Sequence, residues 1–383
     1  MPWREMDIVS KRLEFVLLAL QPGANVRELC RREQISPKTA YKWIGRYQAG
    51  GHQSASLEDQ SRRPLHCDQR TPAAVEAQVI DLRRRHPSWG GRKIARRLQD
   101  LGGEQLAPST VTSILHRHGL ISAQASEQAA PVQRFEHARP NDMWQMDFKG
   151  TFNTVAGACY PLTVLDDHSR FNLALAANAE TGVARVQPQL QAVFERYGMP
   201  ARINADNGPP WGAPTGLGHN LTKLAIWLIR LGIVLSHSRP RRPQTNGKIE
   251  RFHRTLDTEV IATRLWADHA QVQRHFDRWR SVYNLQRPHE ALQMQTPVQR
   301  YRPSSLRFPT TLPPITYGSA DTVVQVTEHG VARLGRCKVV LSQALKGLPV
   351  AFRPRHDQDG IFDVYFCHQQ VARLDLRSLP VDT

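Results

Sequence analysis

Apolar residues recur at helical spacing at the start of the chain. Ile8, Val9, Leu13, Val16, Leu17 and Leu20 predict a helix ended by Pro22-Gly23. Val26 and Leu29 mark a second helix. Ser36-Pro37 then reads as an N-cap followed by the first residue of a third, with Ala40, Trp43 and Ile44 turned inward. After a polar stretch over 51–70, a second helical unit repeats the pattern. Its apolar positions are Val75, Val79 and Leu82, then Ile94 and Leu98 after Gly90-Gly91, then Val111, Ile114 and Leu115 after Pro108. Residues 121–140 are small and polar and predict a second linker.

From Asn141 the period shortens. Residues 144–149 alternate, 160–166 and 171–177 read as buried strands, and 201–205 is a short strand ending at Asp206. Helices are expected over 183–197, 220–231 and 269–283, with a brief strand at 232–236 and a further helix carrying Ile249, Phe252 and Leu256. Strands with interleaved helices predict a mixed sheet covered by helices. Short alternating runs at 322–326, 331–334, 338–341, 349–353 and 361–366, with His329-Gly330 and Asp359-Gly360 as turns, predict a small antiparallel barrel. The expectation is a multidomain chain. Two all-α helix-turn-helix units (1–50 and 71–120), the second winged-helix-like, are each followed by a linker (51–70 and 121–140). An α/β core (141–305) and a small all-β barrel (306–383) complete it.

Charge adds a partner to this outline. Lys+Arg of 51 against Asp+Glu of 34 gives +17 over 383 residues, which points to a polyanion, most commonly nucleic acid. Lys38, Tyr41 and Lys42 fall at the leading end of the third helix, where a recognition helix contacts DNA; a protein-binding helical domain is the alternative. Arg92, Lys93, Arg96 and Arg97 surround Ile94 and Leu98 and suit either phosphate tracking or a solvated face. The longest clear apolar run, residues 15–20, is far too short to span a membrane, and Arg4, Glu5 and Asp7 interrupt any signal pattern. Five scattered cysteines without a C-x-x-C fit reduced thiols in a cytoplasm, and His66-Cys67 reads as incidental.

The candidate chemistry is acidic. Asp147 sits in the first strand of the core, Asp206 ends a later one, and Glu250 lies on a helix that follows the proline- and arginine-rich stretch 239–243. Glu250 is placed either for a surface ion pair or for a metal ligand at a phosphate site. Phosphodiester chemistry with two Mg²⁺ ions about 3.5–4 Å apart needs carboxylates brought together in this way. Carboxylates suit a hard cation better than thiolates and imidazoles do. Lys248, Arg251 and Arg254 suit phosphate contacts or ion pairs. Asp166-Asp167 reads as a turn with Ser169 and Arg170, with a metal role as the alternative. Asn207 fits a turn or a phosphate contact, His253 a proton carrier or a phosphate contact, and Trp211 a base stack or a loop anchor.

Taken together, WQMDFKG at 144–150, LTVLDDHSRF at 162–171, NADNGPP at 204–210, PQTNGKIERFHRTL at 243–256 and YNLQRPHEAL at 283–292 resemble the retroviral-integrase-like core of bacterial insertion-sequence transposases. The resemblance covers roughly 141–301 and runs in the family's order. It implies an RNase H-like core and a D-D-E site at Asp147, Asp206 and Glu250 that binds Mg²⁺, with Mn²⁺ as substitute. It also implies hydrolytic cleavage at an element's end followed by strand transfer into target DNA, carried out by a dimer or tetramer on double-stranded DNA. The 43 residues between Asp206 and Glu250 exceed the family's familiar spacing; the extra length falls in the Gly/Pro-rich segment 209–220. A catalytically silent DNA-binding regulator and a nuclease that cleaves without joining are the competing readings.

Overall fold

The chain opens with α1 (Ile8–Ala19), α2 (Val26–Arg32) and α3 (Pro37–Ala49). The Asn25 side chain caps α2 by accepting from the Glu28 amide, and Ser36 caps α3 by accepting from that of Thr39. Phe15, Val16, Cys30, Ala40, Trp43 and Tyr47 fill the space between the helices. Burying each large apolar side chain stabilises by about 1.5–3 kcal/mol. The stripe expected on α1 is only partly used. Val16 is buried together with Phe15, whereas Ile8, Leu17 and Leu20 stay exposed, because α2 and α3 cover one side of the helix only. Leu57, in the stretch read as linker, is fully buried against this core, and Arg12 fixes it by donating to the Leu57 carbonyl at 2.8 Å.

A computed structural model describes residues 7–60, 71–121, 136–206, 208–212, 221–237 and 247–378 of the chain. Asn207, His66, Cys67, most of the segment 209–220 and the stretch 238–246, with its expected helix start at Gln244, lie outside the described residues. Two compact units result, Met1–Thr71 and Pro72–Thr383.

The second unit begins with α4 (Ala73–Arg85), α5 (Gly91–Asp100) and α6 (Pro108–Arg117). These pack through Val79, Leu82, Trp89, Ile94, Leu98 and Val111. The core follows with β1 (Trp144–Phe148), β2 (Phe152–Thr154), β3 (Gly157–Asp166), β4 (Asn172–Asn178), α7 (Val183–Tyr197), β5 (Arg202–Ala205), α8 (Lys223–Arg230) and β6 (Val234–His237). Helices α9 (Gly247–Glu259), α10 (His269–Leu285) and the short α11 (Pro297–Arg300) close it. The strand order is β2-β3-β1-β5-β6, with β4 also paired to β3. β3 runs antiparallel to β1, β2 and β4, whereas β1, β5 and β6 run parallel. The pleat sends Trp144, Met146, Ile203 and Ala205 into one core with α7 and α8. Phe252 and Leu256 of α9 build a second core with Leu165, Leu175 and residues of α10.

Gly198 ends α7 at φ 76° and ψ 177°, a backbone region essentially reserved for glycine. A Cβ there would meet the Ser304 carbonyl oxygen at 2.6 Å and that of Leu306 at 2.9 Å, where the segment after α11 crosses the core. Gly198→Ala is therefore expected to destabilise this unit by about 2–3 kcal/mol, read as a lowered midpoint in urea denaturation.

The final domain holds β7 (Thr322–Gln325), β8 (Val331–Leu334), β9 (Cys337–Val340), β10 (Pro349–Pro354), β11 (Ile361–Phe366) and β12 (Gln369–Asp375). The expected closed barrel is not formed among the described residues. The strands make an open sheet of order β12-β11-β10-β7 and a separate β8–β9 hairpin. Closure needs every edge strand paired, and β7 and β12 remain as the two ends. Strand β12 lies beyond the runs read from the sequence. The domain rests on the core: Gln369 accepts from the Leu235 amide at 3.0 Å and donates to the Leu235 carbonyl at 2.9 Å, so its side chain pairs with edge strand β6 as a neighbouring strand would. Among the described residues no helix is long and apolar enough to cross a membrane.

Candidate active site

Strand β1 alternates Trp144 and Met146 with Gln145 and Asp147, and the apolar pair belongs to the α7–α8 core. Gln145 and Asp147 therefore face the α9 side of the sheet. Strand β5 does the same with Asn204. Parallel pairing sets Gln145 against Asn204 and Met146 against Ala205, so the next positions, Asp147 and Asp206, stand side by side where the two strands end. Neighbouring strands lie about 4.8 Å apart, close enough for two carboxylates to share a cation. Glu250 enters from the first turn of α9, whose Ile249, Phe252 and Leu256 are buried as the spacing predicts. Phe252 anchors that helix edge-to-face on Trp279 and Tyr283 of α10.

The electrostatics follow from this arrangement. Burial, then the charge of Asp206 and, more weakly, that of Glu250 push the Asp147 carboxyl up to about 7. Asp147 thus lies within electrostatic reach of both other carboxylates. They do not form a finished cage: among the described residues no group of three or more His, Cys, Asp or Glu is arranged to hold a metal ion. A buried carboxyl raised by two neighbouring carboxylates belongs to an all-oxygen donor set of the kind a hard divalent cation relieves, and on that ground the residues fit one.

The remaining neighbours have structural partners. Asp166 accepts from the Ser169 amide at 2.8 Å, the Ser169 hydroxyl at 2.6 Å and the Asn141 amide at 2.7 Å, which is the turn role read for it. Asp167 accepts from Gln145 Nε2 and the His137 amide, both at 2.9 Å, and from Lys248 Nζ. His253 Nε2 meets the Thr163 hydroxyl at 2.8 Å, and that hydroxyl donates to the Asp147 carbonyl at 2.9 Å. Burial and the nearby Lys149 push His253 down to about 4, so it is neutral at ordinary pH. Trp211 is buried and stacks on Phe148, which makes it a loop anchor.

The basic residues divide into two sets. Lys38, Tyr41 and Lys42 are exposed along α3, with Trp43 beneath them held under Arg12, Lys42 and Arg46. Arg251 and Arg254 are exposed on α9 and make no ion pair among the described residues. On α5, only Arg92 stands well out, 3.8 Å from Glu290. Arg96 donates to Asp100 on its own helix, Arg97 reaches Gln286 of the core, and Lys93 is half-buried. This end of the second helical unit docks on the core through Ser88, whose hydroxyl donates to Glu259 at 2.6 Å. Sequence reasoning missed Gln145, Thr163 and Glu259. Only Gln145 left a signal, as a polar residue alternating in register with Asp147.

Family models match several parts of the chain. Residues 137–243 and 231–297 match models of the integrase core domain, 11–64 a helix-turn-helix domain, 39–115 a homeodomain-like domain, and 321–381 the C-terminal domain of IS481-family transposases. A Gag-Pol polyprotein of avian reticuloendotheliosis virus is 26% identical over 47% of this chain, which spans 16% of that polyprotein. An insertion element IS476 protein of Xanthomonas euvesicatoria is 27% identical over 60% of the chain, which spans 65% of it. An IS407 protein of Burkholderia multivorans is 23% identical over 62% of the chain and 85% of its own length. Among solved structures, a simian T-cell lymphotropic virus intasome chain is 14% identical with a TM-score of 0.38, covering 78% of this chain and 96% of its own. The integrase core models, the IS481-type C-terminal model and the insertion-element relatives together make this chain similar to insertion-sequence transposases with an integrase-like core.

Proposed function

We propose that the chain binds the ends of a mobile DNA element and catalyses metal-dependent cleavage and strand transfer there, with Asp147, Asp206 and Glu250 as the catalytic carboxylates. The observation that carries this reading is the β1–β5 register, which sets the two aspartates side by side, with Glu250 near enough to raise Asp147. Mg²⁺, or Mn²⁺ in its place, held by these three residues would activate the attacking oxygen and stabilise the leaving one. Asp147 and Asp206 stand on adjacent strand ends and set the fixed side of the site; Glu250 completes it from α9. Arg251 and Arg254, on the exposed face beside Glu250, hold flanking phosphates. The leading end of α3, with Lys38, Tyr41 and Lys42, reads the element's ends, and Arg92 adds a phosphate contact. Arg96 and Arg97 engage Asp100 and Gln286 and Lys93 is half-buried, so Arg92 is the cation of α5 best placed to meet DNA. Two ends must be held at once, so the working form is a dimer or tetramer on DNA.

The test incubates purified protein with DNA from the flanks of its own gene, with Mg²⁺ or Mn²⁺, beside Asp206→Asn. Nicking followed by joined products, absent from the variant, is the expected result. Binding without cleavage in either metal would transfer the assignment to a silent regulator, and cleavage without joining to a nuclease.

A further inference from the structure

We propose that Gln145, Asp167 and Lys248 form a clasp that sets where Glu250 stands against Asp147, and that Lys248 is a positioning residue, not a DNA contact. The role given to Glu250 rests on the function proposed above; the clasp itself rests on hydrogen bonds.

Gln145 lies two residues before Asp147 on the same face of β1 and is almost wholly buried. Both ends of its amide are used. Oε1 accepts from the Ile249 amide at 3.1 Å, and Nε2 donates to Asp167 Oδ1 at 2.9 Å. The Ile249 N–H belongs to the first turn of α9, where backbone donors have no partner within the helix. Asp167 is 1% exposed, and its other oxygen takes Lys248 Nζ and the His137 amide. The same ammonium also donates to the Asp167 backbone carbonyl at 3.3 Å. Residues 248 and 249 are therefore tied to β1 and to the turn after β3, and Glu250 is the next residue along.

This geometry separates Lys248 from Arg251 and Arg254. To reach a phosphate, the Lys248 ammonium would have to leave Asp167 and take its positive charge away from a buried carboxylate, which the neutral Gln145 and His137 donors would not replace. The sequence reading of Lys248 as a phosphate contact thus gives way to a role one step back from the chemistry. Hydrogen-bonded supports of this kind typically affect metal affinity by about 10–100-fold.

The experiment compares the full-length wild type with Lys248→Met, which keeps the aliphatic stem, Lys248→Arg, which keeps the cation, and Gln145→Met. Amide exchange at Ile249, the salt dependence of duplex affinity without divalent metal, and Mn²⁺ uptake from the free-ion EPR signal are measured. In Lys248→Met and Gln145→Met, exchange at Ile249 should quicken at least about tenfold and Mn²⁺ uptake weaken about 10–100-fold, with the DNA salt slope unchanged. Lys248→Arg should recover both. If Lys248→Met instead lowers the salt slope by about one phosphate contact while Ile249 stays protected, the clasp is overturned and Lys248 is a DNA ligand. A wild type that takes up no Mn²⁺ would count against the metal reading of the carboxylates, and exchange at Ile249 would still decide the clasp.

Discussion

Asp147→Asn is expected to abolish metal-dependent cleavage, by at least about a thousandfold, and to make the metal-free protein more stable at pH 8. The loss follows from removing one of three carboxylates offered to the cation. The gain follows from the charge that Asp147 carries there. Burial and the neighbouring Asp206 and Glu250 raise its folded-state value to about 7 from an ordinary 3.8. An acid so raised binds a proton more tightly when folded, so its ionised form costs stability. That cost is absent at pH below the unfolded value, grows between about 4 and 7, and is constant above. A shift of this size corresponds to about 4 kcal/mol, an upper figure that solvent reaching the partly exposed group reduces. In EDTA the variant should therefore melt higher than wild type at pH 8 and equally at acid pH. Added Mg²⁺ should stabilise wild type and not the variant. A variant that melts lower at pH 8 would remove the repulsion among the carboxylates from the account.

Glu259→Ala should cost about 3–5 kcal/mol and loosen the second helical unit from the core. The Glu259 side chain is only 10% exposed and serves three partners. Arg287 donates to it through Nε at 3.2 Å and Nη2 at 3.1 Å, Trp279 through Nε1 at 2.7 Å, and Ser88 through its hydroxyl at 2.6 Å. Alanine would leave Arg287 uncompensated beside Arg251 and Lys93. The Lys93 ammonium is already pushed down to about 8 by burial and the Arg287 charge. Glu259→Gln keeps an acceptor for Ser88 and Trp279 and should fall between alanine and wild type. Thermal melting together with amide exchange in α5 and α6 reads both effects. Unchanged exchange there, with a lowered melting point, would show that Glu259 supports α10 alone.

The parts of this molecule that sequence made legible are those set by local period. The β1 alternation placed Asp147, the end of β5 placed Asp206, and the Ile249–Phe252–Leu256 spacing placed α9. Partners distant in the chain were not legible. Lys248 beside Glu250 reads as a phosphate contact or an ion pair, and its partner Asp167 lies 81 residues away, where no local pattern could name it. The cations of α5 read as a free basic face because nothing local reports that this helix meets the core. Strand β12 was missed because the turn before it uses Cys367, at φ 51°, where a glycine, asparagine or aspartate would have announced it. The α1 stripe misled for another reason: an apolar spacing defines a face but not how much of it the neighbours cover.

The pairing of Gln369 with Leu235 has a consequence for the solubility of the core. Strand β6 is a terminal strand of the core sheet, and an uncovered terminal strand offers its backbone as a template for other chains. Among the described residues the Gln369 side-chain amide occupies part of that template. A proteolytic fragment ending before Thr322 would retain the whole carboxylate-bearing sheet yet lose this guard, together with the apolar cover that β10 and β11 supply. Such a fragment is expected to grow by strand addition into aggregates, which light scattering of the fragment beside the full chain would check.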